Sequence, residues 1–391
     1  MNTSRTIYGG GPIFDGEALH ECYALCVENG QITALGPEEK IGRDGTYVDL
    51  GGDILSPGYV DLQVNGGDGI MFNEAPTVET LARIATAHQR LGVTTILPTL
   101  ITDTADKTAA AIEAAKNAIA ERVHGIGGLH LEGPHLSVAR KGAHDAALIR
   151  PMTDDDLAVL IRAAGDLPVL MVTIAPENAT IEQVRALVDA GALVSLGHSD
   201  ANFDTCVSYA DAGARAVTHL FNAMSQLGNR EPGLVGAALA SGSLSAGLIA
   251  DGIHVHQETM RAAWAAKRMP GRIFLVSDAM APAGSDISEF TLGGRRITRD
   301  GGQLALEDGT LAGADLDLTT AVRNMVQKVG VGLADALQAA TSVPARLAGM
   351  PAKVGSISVG NAAGLIRVRS DLSGLVPLKY LSIDDHMISV N

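Results

Sequence analysis

The sequence predicts an α/β fold, a (β/α)8 TIM-type barrel with a small β-sandwich domain formed by both termini. Three observations predict it: a series of short apolar β-type runs, amphipathic helical stretches between most of these runs, and a turn-rich β texture at both chain ends. The length of 391 residues suits one large barrel with an added small domain. We therefore expect the small domain at residues 1–55 and 351–391, and the barrel at residues 56–350.

The first segment of the chain has the pattern of a β unit rather than a helical one. β-type runs at Arg5–Tyr8, Tyr23–Glu28 and Gln31–Leu35 alternate with turn-rich stretches such as FDGE, VENG and GRDG. The same texture returns near the other end, at Gly355–Val359 and Leu365–Val368. Because both ends share this texture, we predict that they assemble into one β domain.

The central segment alternates predicted strands and helices. Its apolar runs are continuous, as expected for strands that are buried on both faces of a parallel sheet. The predicted strands are Gly58–Val64, Val93–Leu100, Ile126–Leu131, Val169–Ile174, Leu193–Leu196, Ala216–Leu220, Ala246–Ala250 and Ile273–Val276. The predicted helices include Thr77–Leu91, Thr102–Arg122, Asp154–Ala164, Ile181–Ala190 and Gln257–Arg268. Capping-type residues, Thr153 and Thr180, precede two of them.

Composition and charge exclude several classes of protein. Apolar residues make up 46% of the chain and charged residues 19%, which excludes a disordered chain. The net charge of −15 argues against nucleic-acid binding, and it means that an anionic substrate needs a local basic pocket. The three cysteines (Cys22, Cys26 and Cys206) have no disulfide-type spacing, which fits a reducing, cytoplasmic compartment. Without a second Cys/His pair nearby, we expect Cys22 and Cys26 to be ordinary strand residues rather than half a metal site.

No segment predicts export or membrane insertion. Residues 1–14 lack the basic start and apolar run of a signal peptide. Gly233–Ala250 is uncharged over 18 residues, which reaches the length of a membrane span. Its Gly/Ser interruption at Ser241, Gly242 and Ser243 instead predicts a helix, a turn and a buried strand. We expect no membrane partner.

Polar, ligand-type residues follow six of the eight predicted barrel strands. They lie in the stretches DLQVN (61–65), HLEGPH (130–135), GHS (197–199), THL (218–220), DGIHVH (251–256) and SDA (277–279). In a (β/α)8 barrel the site forms at the carboxyl ends of the strands. The pattern therefore predicts one shared site at that end.

Three of these residues form the minimal set for a catalytic zinc site. One Glu and two His on different strands, Glu132, His198 and His219, leave a fourth position for water. Any one of these residues could instead form a hydrogen bond to a neighbouring loop. That alternative does not explain why all three occur at matching strand ends. A metal there would activate water and polarise a carbonyl. Asp278 is placed to carry a proton, although a helix cap or an ion pair is the alternative for this residue.

The full set of motifs resembles the N-acetylglucosamine-6-phosphate deacetylases of the amidohydrolase superfamily. It consists of HLEGPH (130–135), GHS (197–199), THLFNAM (218–224), REPG (230–233), ADGIHV (250–255), SDAM (277–280), ILSPGYVDLQVNG (54–66) and GSISVGNAAGLI (355–366). The resemblance implies the same barrel with a β domain from both termini. It implies hydrolysis of N-acetylglucosamine 6-phosphate to glucosamine 6-phosphate and acetate, in amino-sugar catabolism or cell-wall recycling. It also implies a homodimer.

The resemblance assigns a role to each matching residue. It implies a metal on Glu132, His198 and His219, with Asp278 as the acid and base, and it places His144 near the substrate carbonyl. The residues implied to contact the sugar phosphate are Asn222, Ala223, Arg230 and His254. A surface charge beside Glu231 is the alternative for Arg230, and a loop hydrogen bond is the alternative for His254. We expect His130 to point to the opposite side of its strand from Glu132.

One departure concerns the number of metal ions. Many amidohydrolases carry His-x-His on the first strand, and this chain has Gln63 and Asn65 there. Carboxamides are weak zinc ligands compared with imidazole, and strand 168–175 holds no Lys that could bridge two metals. We therefore expect one divalent ion, Zn²⁺ first, with Fe²⁺, Mn²⁺ or Co²⁺ as alternatives. A smaller departure, Gly364 where the family often has Asp, concerns only the β domain.

Three other functions compete with this interpretation. An amidohydrolase for a different N-acyl sugar or N-acyl amino compound would leave Arg230 and His254 without purpose. A sugar-phosphate-binding regulator would not need the proton carrier Asp278. A structural scaffold would not gather ligand residues at strand ends.

Overall fold

The two ends of the chain meet in a small β domain of two sheets. The computed structural model describes residues 5–362 and 364–378, and we number its elements in chain order. The first sheet contains β1 (Arg5–Gly9), β4 (Tyr23–Glu28), β5 (Gln31–Pro37) and β6 (Thr46–Asp49), and α1 (Glu38–Ile41) follows β5. The second contains β2 (Ile13–Phe14), β3 (Leu19–His20), β7 (Ile54–Pro57), β22 (Leu365–Val368) and β23 (Leu375–Val376). β22 runs antiparallel to β7, which joins the end of the chain to its beginning.

The strands at Arg5–Gly9, Tyr23–Glu28, Gln31–Pro37 and Leu365–Val368 match four of the five runs predicted at the chain ends. The prediction of a strand at Gly355–Val359 is wrong, because these residues form turns. Gly355 has a φ of 66°, a left-handed conformation that interrupts an extended run. The domain boundaries at 55 and 350 stay predictions, and residues 1–4 and 379–391 lie outside the described part of the chain.

A parallel barrel occupies the centre of the molecule, as predicted. Within the described residues its eight strands pair in chain order. They are β8 (Tyr59–Val64), β11 (Val93–Ile101), β12 (Leu129–Glu132), β13 (Leu170–Ile174), β14 (Leu193–Leu196), β15 (Ala216–Val217), β16 (Ser245–Leu248) and β17 (Ile273–Leu275). A small hairpin, β9 (Gly66–Gly67) and β10 (Ile70–Met71), follows β8. The barrel strands are almost entirely buried, which explains their continuous apolar sequence.

Helices surround the barrel; one helix follows each strand, and two more come after the last of these. They are α2 (Val78–Arg90), α3 (Ala105–Ala120), α4 (Asp154–Asp166), α5 (Ile181–Asp189), α6 (Phe203–Asp211), α7 (Gly233–Ala240), α8 (Gln257–Ala266), α9 (Leu318–Asn324), α10 (Leu333–Ala340) and α11 (Ser342–Leu347). Short 3-10 and π segments lie at Val138–Arg140 and Met325–Val329. The predicted caps Thr153 and Thr180 each form a capping box, with Asp156 and Gln183 respectively.

The predicted helix–turn–strand at 233–250 is confirmed as α7, a turn and β16. Among the described residues, no helix combines the length and the apolar character that a membrane crossing requires.

An inserted antiparallel sheet between β17 and α9 was not predicted. Its strands are β18 (Glu289–Leu292), β19 (Arg295–Asp300), β20 (Gln303–Leu306) and β21 (Leu311–Ala314). Gly-Gly pairs at 293–294 and 301–302, all with positive φ, form its first two turns. These pairs are a hairpin signal that was available in the sequence. The apolar side of the sheet packs on Met71 and Met280, next to the carboxyl end of the barrel.

Candidate active site

A cavity of about 200 Å³ lies at the carboxyl ends of the barrel strands. The residues singled out in the sequence that line it are Asn65, Glu132, His144, His198, His219, Asn222, Ala223, His254 and Asp278. Arg230 is exposed and does not line this cavity. A cavity of about 240 Å³ near Trp264 and Arg272 contains no histidine, so we place the chemistry in the first cavity.

Three of the cavity residues form a compact cluster of metal-ligand type. The Nε2 atoms of His198 and His219 are 3.0 Å apart, and they lie 3.1 and 3.0 Å from Oε1 of Glu132. All three side chains are buried. No other group of three such ligand atoms occurs in the described residues.

The backbone turns sharply where the site residues leave their strands. His198, His219 and Asp278 have φ angles of 48°, 29° and 48°, in the left-handed region that non-glycine residues rarely adopt. Such conformations are costly and persist only where the surrounding structure holds them. Each one follows a barrel strand by two or three residues and places a polar side chain in the cavity lining.

Hydrogen bonds determine which nitrogen of His198 faces the cluster. Its Nδ1 lies 2.8 Å from the carbonyl oxygen of Arg140, and a carbonyl only accepts, so Nδ1 carries the proton. Nε2 therefore presents a lone pair to Glu132 and His219. This is the arrangement of metal-binding histidines, whose second nitrogen donates to a carbonyl or carboxylate.

The donor set fits a divalent cation. A carboxylate oxygen and two imidazole nitrogens converge to 3.0–3.1 Å, where their lone pairs repel unless a proton or cation lies between them. Nδ1 of His219 is buried without a hydrogen-bond partner among the described residues. Burial raises the pKa of Glu132, but the adjacent imidazoles of His198 and His219 outweigh burial and keep the pKa well below the ordinary value. Glu132 is therefore an anion, as a metal ligand must be.

Gln63 and Asn65 place amide donors between the carboxylates. Nε2 of Gln63 lies 3.3 Å from both oxygens of Glu132 and donates to Oδ1 of Asp278 at 3.1 Å. Nδ2 of Asn65 donates to the same Oδ1 at 2.7 Å. Two NH₂ groups, which donate hydrogen bonds and cannot bind a cation, thus face the carboxylates of Glu132 and Asp278. The arrangement supports the prediction of a site for one metal.

The two carboxylate oxygens of Asp278 differ in their hydrogen bonds. Oδ1 accepts both amide bonds, and no hydrogen bond reaches Oδ2 from the described residues. Burial, and then the charge of Glu132, raise the pKa of Asp278 to about 6. A carboxylate with that pKa can both accept and return a proton near neutral pH.

His144 is a neutral hydrogen-bond donor. Its Nδ1 accepts from the backbone N–H of Thr102 at 3.3 Å and lies 2.8 Å from the Thr102 hydroxyl. The ring proton is therefore on Nε2. Burial lowers the pKa of His144 to about 3, so the ring is uncharged at neutral pH.

His254 is held by a residue that sequence reasoning missed. Its Nδ1 donates to Oδ2 of Asp251 at 2.6 Å, and Oδ1 of Asp251 accepts the backbone N–H groups of Ile253 and His254 at 2.8 Å. Nε2 of His254 stays available for a ligand in the cavity. The i, i+3 spacing of DGIH was the available signal. Asn222 uses its amide within its own loop, on the carbonyl oxygens of His219 and Leu220.

The expectation for His130 is wrong. Residues two apart on a strand share a face, so His130 lies on the same side as Glu132. Its ring contacts the hydroxyls of Thr99 and Thr173 on the two neighbouring strands, at 3.2 and 2.8 Å. It forms a buried polar layer and is not part of the ligand cluster.

Comparison with known proteins agrees with this site. The profile of the amidohydrolase family matches residues 54–381. An N-acetylgalactosamine-6-phosphate deacetylase from Shewanella sp. (strain ANA-3) is 44% identical over 90% of this chain and 89% of its own length. An N-acetylglucosamine-6-phosphate deacetylase from Haemophilus influenzae is 33% identical over 88% of this chain and 90% of its own length. The crystal structure of N-acetylglucosamine-6-phosphate deacetylase from Pasteurella multocida has a TM-score of 0.89 at 33% identity, and the match covers 95% of this chain and 97% of that one.

The chain therefore belongs to the amidohydrolase family. Within this family of hydrolases it groups with the deacetylases of N-acetylhexosamine 6-phosphates, and it is an enzyme.

Proposed function

We propose that the enzyme hydrolyses N-acetylglucosamine 6-phosphate to glucosamine 6-phosphate and acetate. The observation that carries this proposal is the position of Asp278, whose carboxylate lies beside the Glu132–His198–His219 cluster with Oδ2 available. The names of the Haemophilus and Pasteurella relatives support the substrate. We place the reaction in cytoplasmic amino-sugar catabolism or cell-wall recycling, in a homodimer.

Glu132, His198 and His219 would hold one divalent ion, with Zn²⁺ as the first candidate and Fe²⁺, Mn²⁺ or Co²⁺ as alternatives. When bound, such an ion lowers the pKa of a water molecule and polarises a carbonyl. The chain's own residues supply the remaining chemistry.

His144 stabilises the charge that develops on the substrate carbonyl oxygen. Because its Nδ1 is occupied by Thr102, its Nε2–H is the donor that this oxygen meets. A donor fixed before the reaction stabilises a developing oxyanion without the cost of reorientation.

Asp278 transfers the proton. Its Oδ2 accepts a proton from the attacking water as the new C–O bond forms. It then gives that proton to the amide nitrogen as the C–N bond breaks, which leaves an amine and acetate. Gln63 and Asn65 hold Oδ1 throughout, so the carboxylate keeps its direction.

The phosphate gives remote binding energy that orients the amide. His254, oriented by Asp251, lines the cavity and offers Nε2 to it, and we propose that Nε2 binds the phosphate. Asn222 and Ala223 line the same cavity and would complete the contacts to the sugar phosphate. The role proposed for Arg230 rests on the sequence resemblance, since this residue lies outside the cavity lining.

Asp278→Asn tests the mechanism. The substitution keeps the shape of the side chain and removes the proton acceptor, so kcat should fall by about a hundredfold or more. Bound metal, measured by inductively coupled plasma mass spectrometry, and substrate affinity should stay close to wild type. A kcat near wild type, measured by acetate release, would show that Asp278 is not the proton carrier.

N-acetylgalactosamine 6-phosphate is a second candidate substrate. The relative from Shewanella, named for that substrate, is 44% identical, against 33% for the relative from Haemophilus. The two sugars differ only in the configuration of one ring hydroxyl, so one site can distinguish them by a single hydrogen bond. Comparing kcat/KM for both 6-phosphates decides between them, and the unphosphorylated sugars serve as controls.

A further inference from the structure

Asp61 is a completely buried carboxylate that the mechanism above does not use. Its exposed fraction is 0%. Its hydrogen bonds come from backbone N–H groups: Gln63 donates to Oδ1 at 3.2 Å, and Ser277 donates to Oδ1 and Oδ2 at 3.3 and 3.2 Å. Burying a carboxylate costs free energy unless hydrogen bonds compensate its charge. These three bonds therefore indicate the role of the side chain.

These bonds lie at the seam of the barrel, the place where the first strand, β8, meets the chain that follows the last strand, β17. Each other neighbouring pair of barrel strands is joined by a backbone ladder. Between β8 and the segment that follows β17, the described residues share one isolated bridge, Val64 to Ala279. In a regular parallel ladder the N–H of Ser277 would donate to a backbone carbonyl of the adjacent strand. Here the carboxylate of Asp61 accepts it instead.

The bond between Asp61 and the backbone of Ser277 lies directly before the turn that carries Asp278. The chain leaves the extended conformation directly after Ser277, and Asp278 has a φ of 48°. On the far side of the turn, the N–H of Ala279 donates to the Ser277 hydroxyl at 3.2 Å. The carbonyl of Ala279 accepts from the N–H of Asn65 at 2.8 Å. Both ends of the left-handed residue are therefore anchored to β8 and the residues directly after it.

We propose that Asp61 is a positioning residue for the reaction, which fixes the backbone of Ser277 and so holds Asp278 in its left-handed conformation. In this conformation Oδ1 of Asp278 meets the amides of Gln63 and Asn65, and Oδ2 is left for the proton. The inference rests on the proton-transfer role proposed for Asp278.

Asp61→Leu is the direct test. Leucine has nearly the same shape, but neither of its two terminal methyl groups can accept a hydrogen bond, so the N–H groups of Gln63 and Ser277 both lose this partner. Asp278 should lose its fixed position, and kcat should fall about ten- to a hundredfold, as expected for a displaced reacting group. KM and the metal content should stay within about twofold of wild type, because the ligand cluster and the cavity walls do not contact Asp61.

Tyr59→Phe is the matched control. Tyr59 is equally buried on the same strand, two residues before Asp61, and its hydroxyl accepts a hydrogen bond from Thr319 at 3.3 Å. This variant also loses a buried polar contact on β8, but it leaves the bond to Ser277 intact. Its melting temperature should fall while its kcat stays at the wild-type value.

Ser277→Ala keeps the proposal testable if the Asp61 variant does not fold. It retains Asp61 and removes the hydroxyl that anchors the N–H of Ala279, so kcat should fall about three- to tenfold at unchanged KM. A folded Asp61→Leu with wild-type kcat would overturn the proposal, and so would a loss of kcat matched by a loss of metal. If only Ser277→Ala folds, wild-type kcat in that variant would overturn it. Failure of the proposed function is a separate result, namely turnover by Asp278→Asn.

Discussion

The hydrogen-bond partner of each imidazole decides the chemistry that the ring offers. His198 donates from Nδ1 to the carbonyl of Arg140 and so presents a lone pair, as a metal ligand must. His144 accepts at Nδ1 from Thr102 and so presents an N–H. His254 donates from Nδ1 to Asp251, whose carboxylate fixes the ring so that Nε2 is left for a ligand in the cavity. One residue type thus serves three functions through its neighbours.

Glu132→Gln should remove the metal. The carboxylate is the only anion in the cluster of described residues, and an amide is a weak ligand for zinc. The bound ion, measured by mass spectrometry after dialysis, should fall well below one per chain, and acetate release should fall with it. Glu113→Gln, on the exposed face of α3, is the control and should keep both. Full metal content in the Glu132 variant would contradict the assignment.

Arg230→Ala tests the proposed phosphate contact at the same scale. A guanidinium that binds phosphate through two hydrogen bonds contributes to affinity only when phosphate is present. The kcat/KM for 6-phosphorylated substrate should therefore fall about tenfold or more, and that for the unphosphorylated sugar should change little. An equal loss on both sugars would show that Arg230 acts on the structure rather than on the phosphate.

The first turn of α4 is satisfied by a capping box. At the start of α4 the hydroxyl of Thr153 accepts from the N–H of Asp156, and Asp156 accepts from the N–H of Thr153. Arg150 forms an ion pair with the same carboxylate. Together these bonds satisfy donors that the helix leaves free, and they connect the loop after β12 to the helix.

Thr153→Ala should lower the free energy of unfolding by about 1 kcal/mol, because it removes the cap. Thr180→Ala, at the equivalent capping box of α5, should have a similar effect. Both variants should keep wild-type kcat, since neither cap reaches the cavity. Melting curves and acetate release measure the two quantities, and an unchanged melting temperature would contradict the role of the cap.

The inserted sheet contributes side chains to the cavity lining. Leu292 and Leu311 from its strands line the cavity together with Met280. Arg295 donates to the carbonyl of Ala143, directly before His144 in the chain. The sheet therefore covers part of the barrel mouth and supports the loop that carries His144. Exclusion of water there strengthens every electrostatic interaction with the substrate.

For the whole molecule, buried neutral histidines predict sensitivity to acid. Burial lowers the pKa of His88 to about 4, although its bond to the carbonyl of Gly66 opposes this shift. The ordinary value for an unfolded chain is about 6.5, so the unfolded state binds more protons between these two values. The stability contribution of His88 is therefore present above pH 6.5 and is lost as the pH falls toward 4. Burial lowers the pKa of His130 to about 4 in the same way.

His88→Gln should flatten this dependence. The variant keeps a donor for Gly66 but has no group that titrates in this range. Between pH 7 and pH 4, the wild type should lose roughly 3 kcal/mol more stability than the variant. Parallel curves of unfolding free energy against pH for the two proteins would contradict this account.

The local pattern of the chain was sufficient to predict the barrel, the capped helices and the cluster at the strand ends. Burial on both faces makes strands continuously apolar, and the carboxyl ends of parallel strands meet at one edge. Only the tertiary structure decided the tautomers of His144 and His198, the bond from Gln63 to Asp278 across 215 positions, and the seam at Asp61. It also left Arg230 outside the cavity lining and covered the mouth with the inserted sheet. The physical reason is that a hydrogen bond across the barrel depends on which strands become neighbours, and no local periodicity records that.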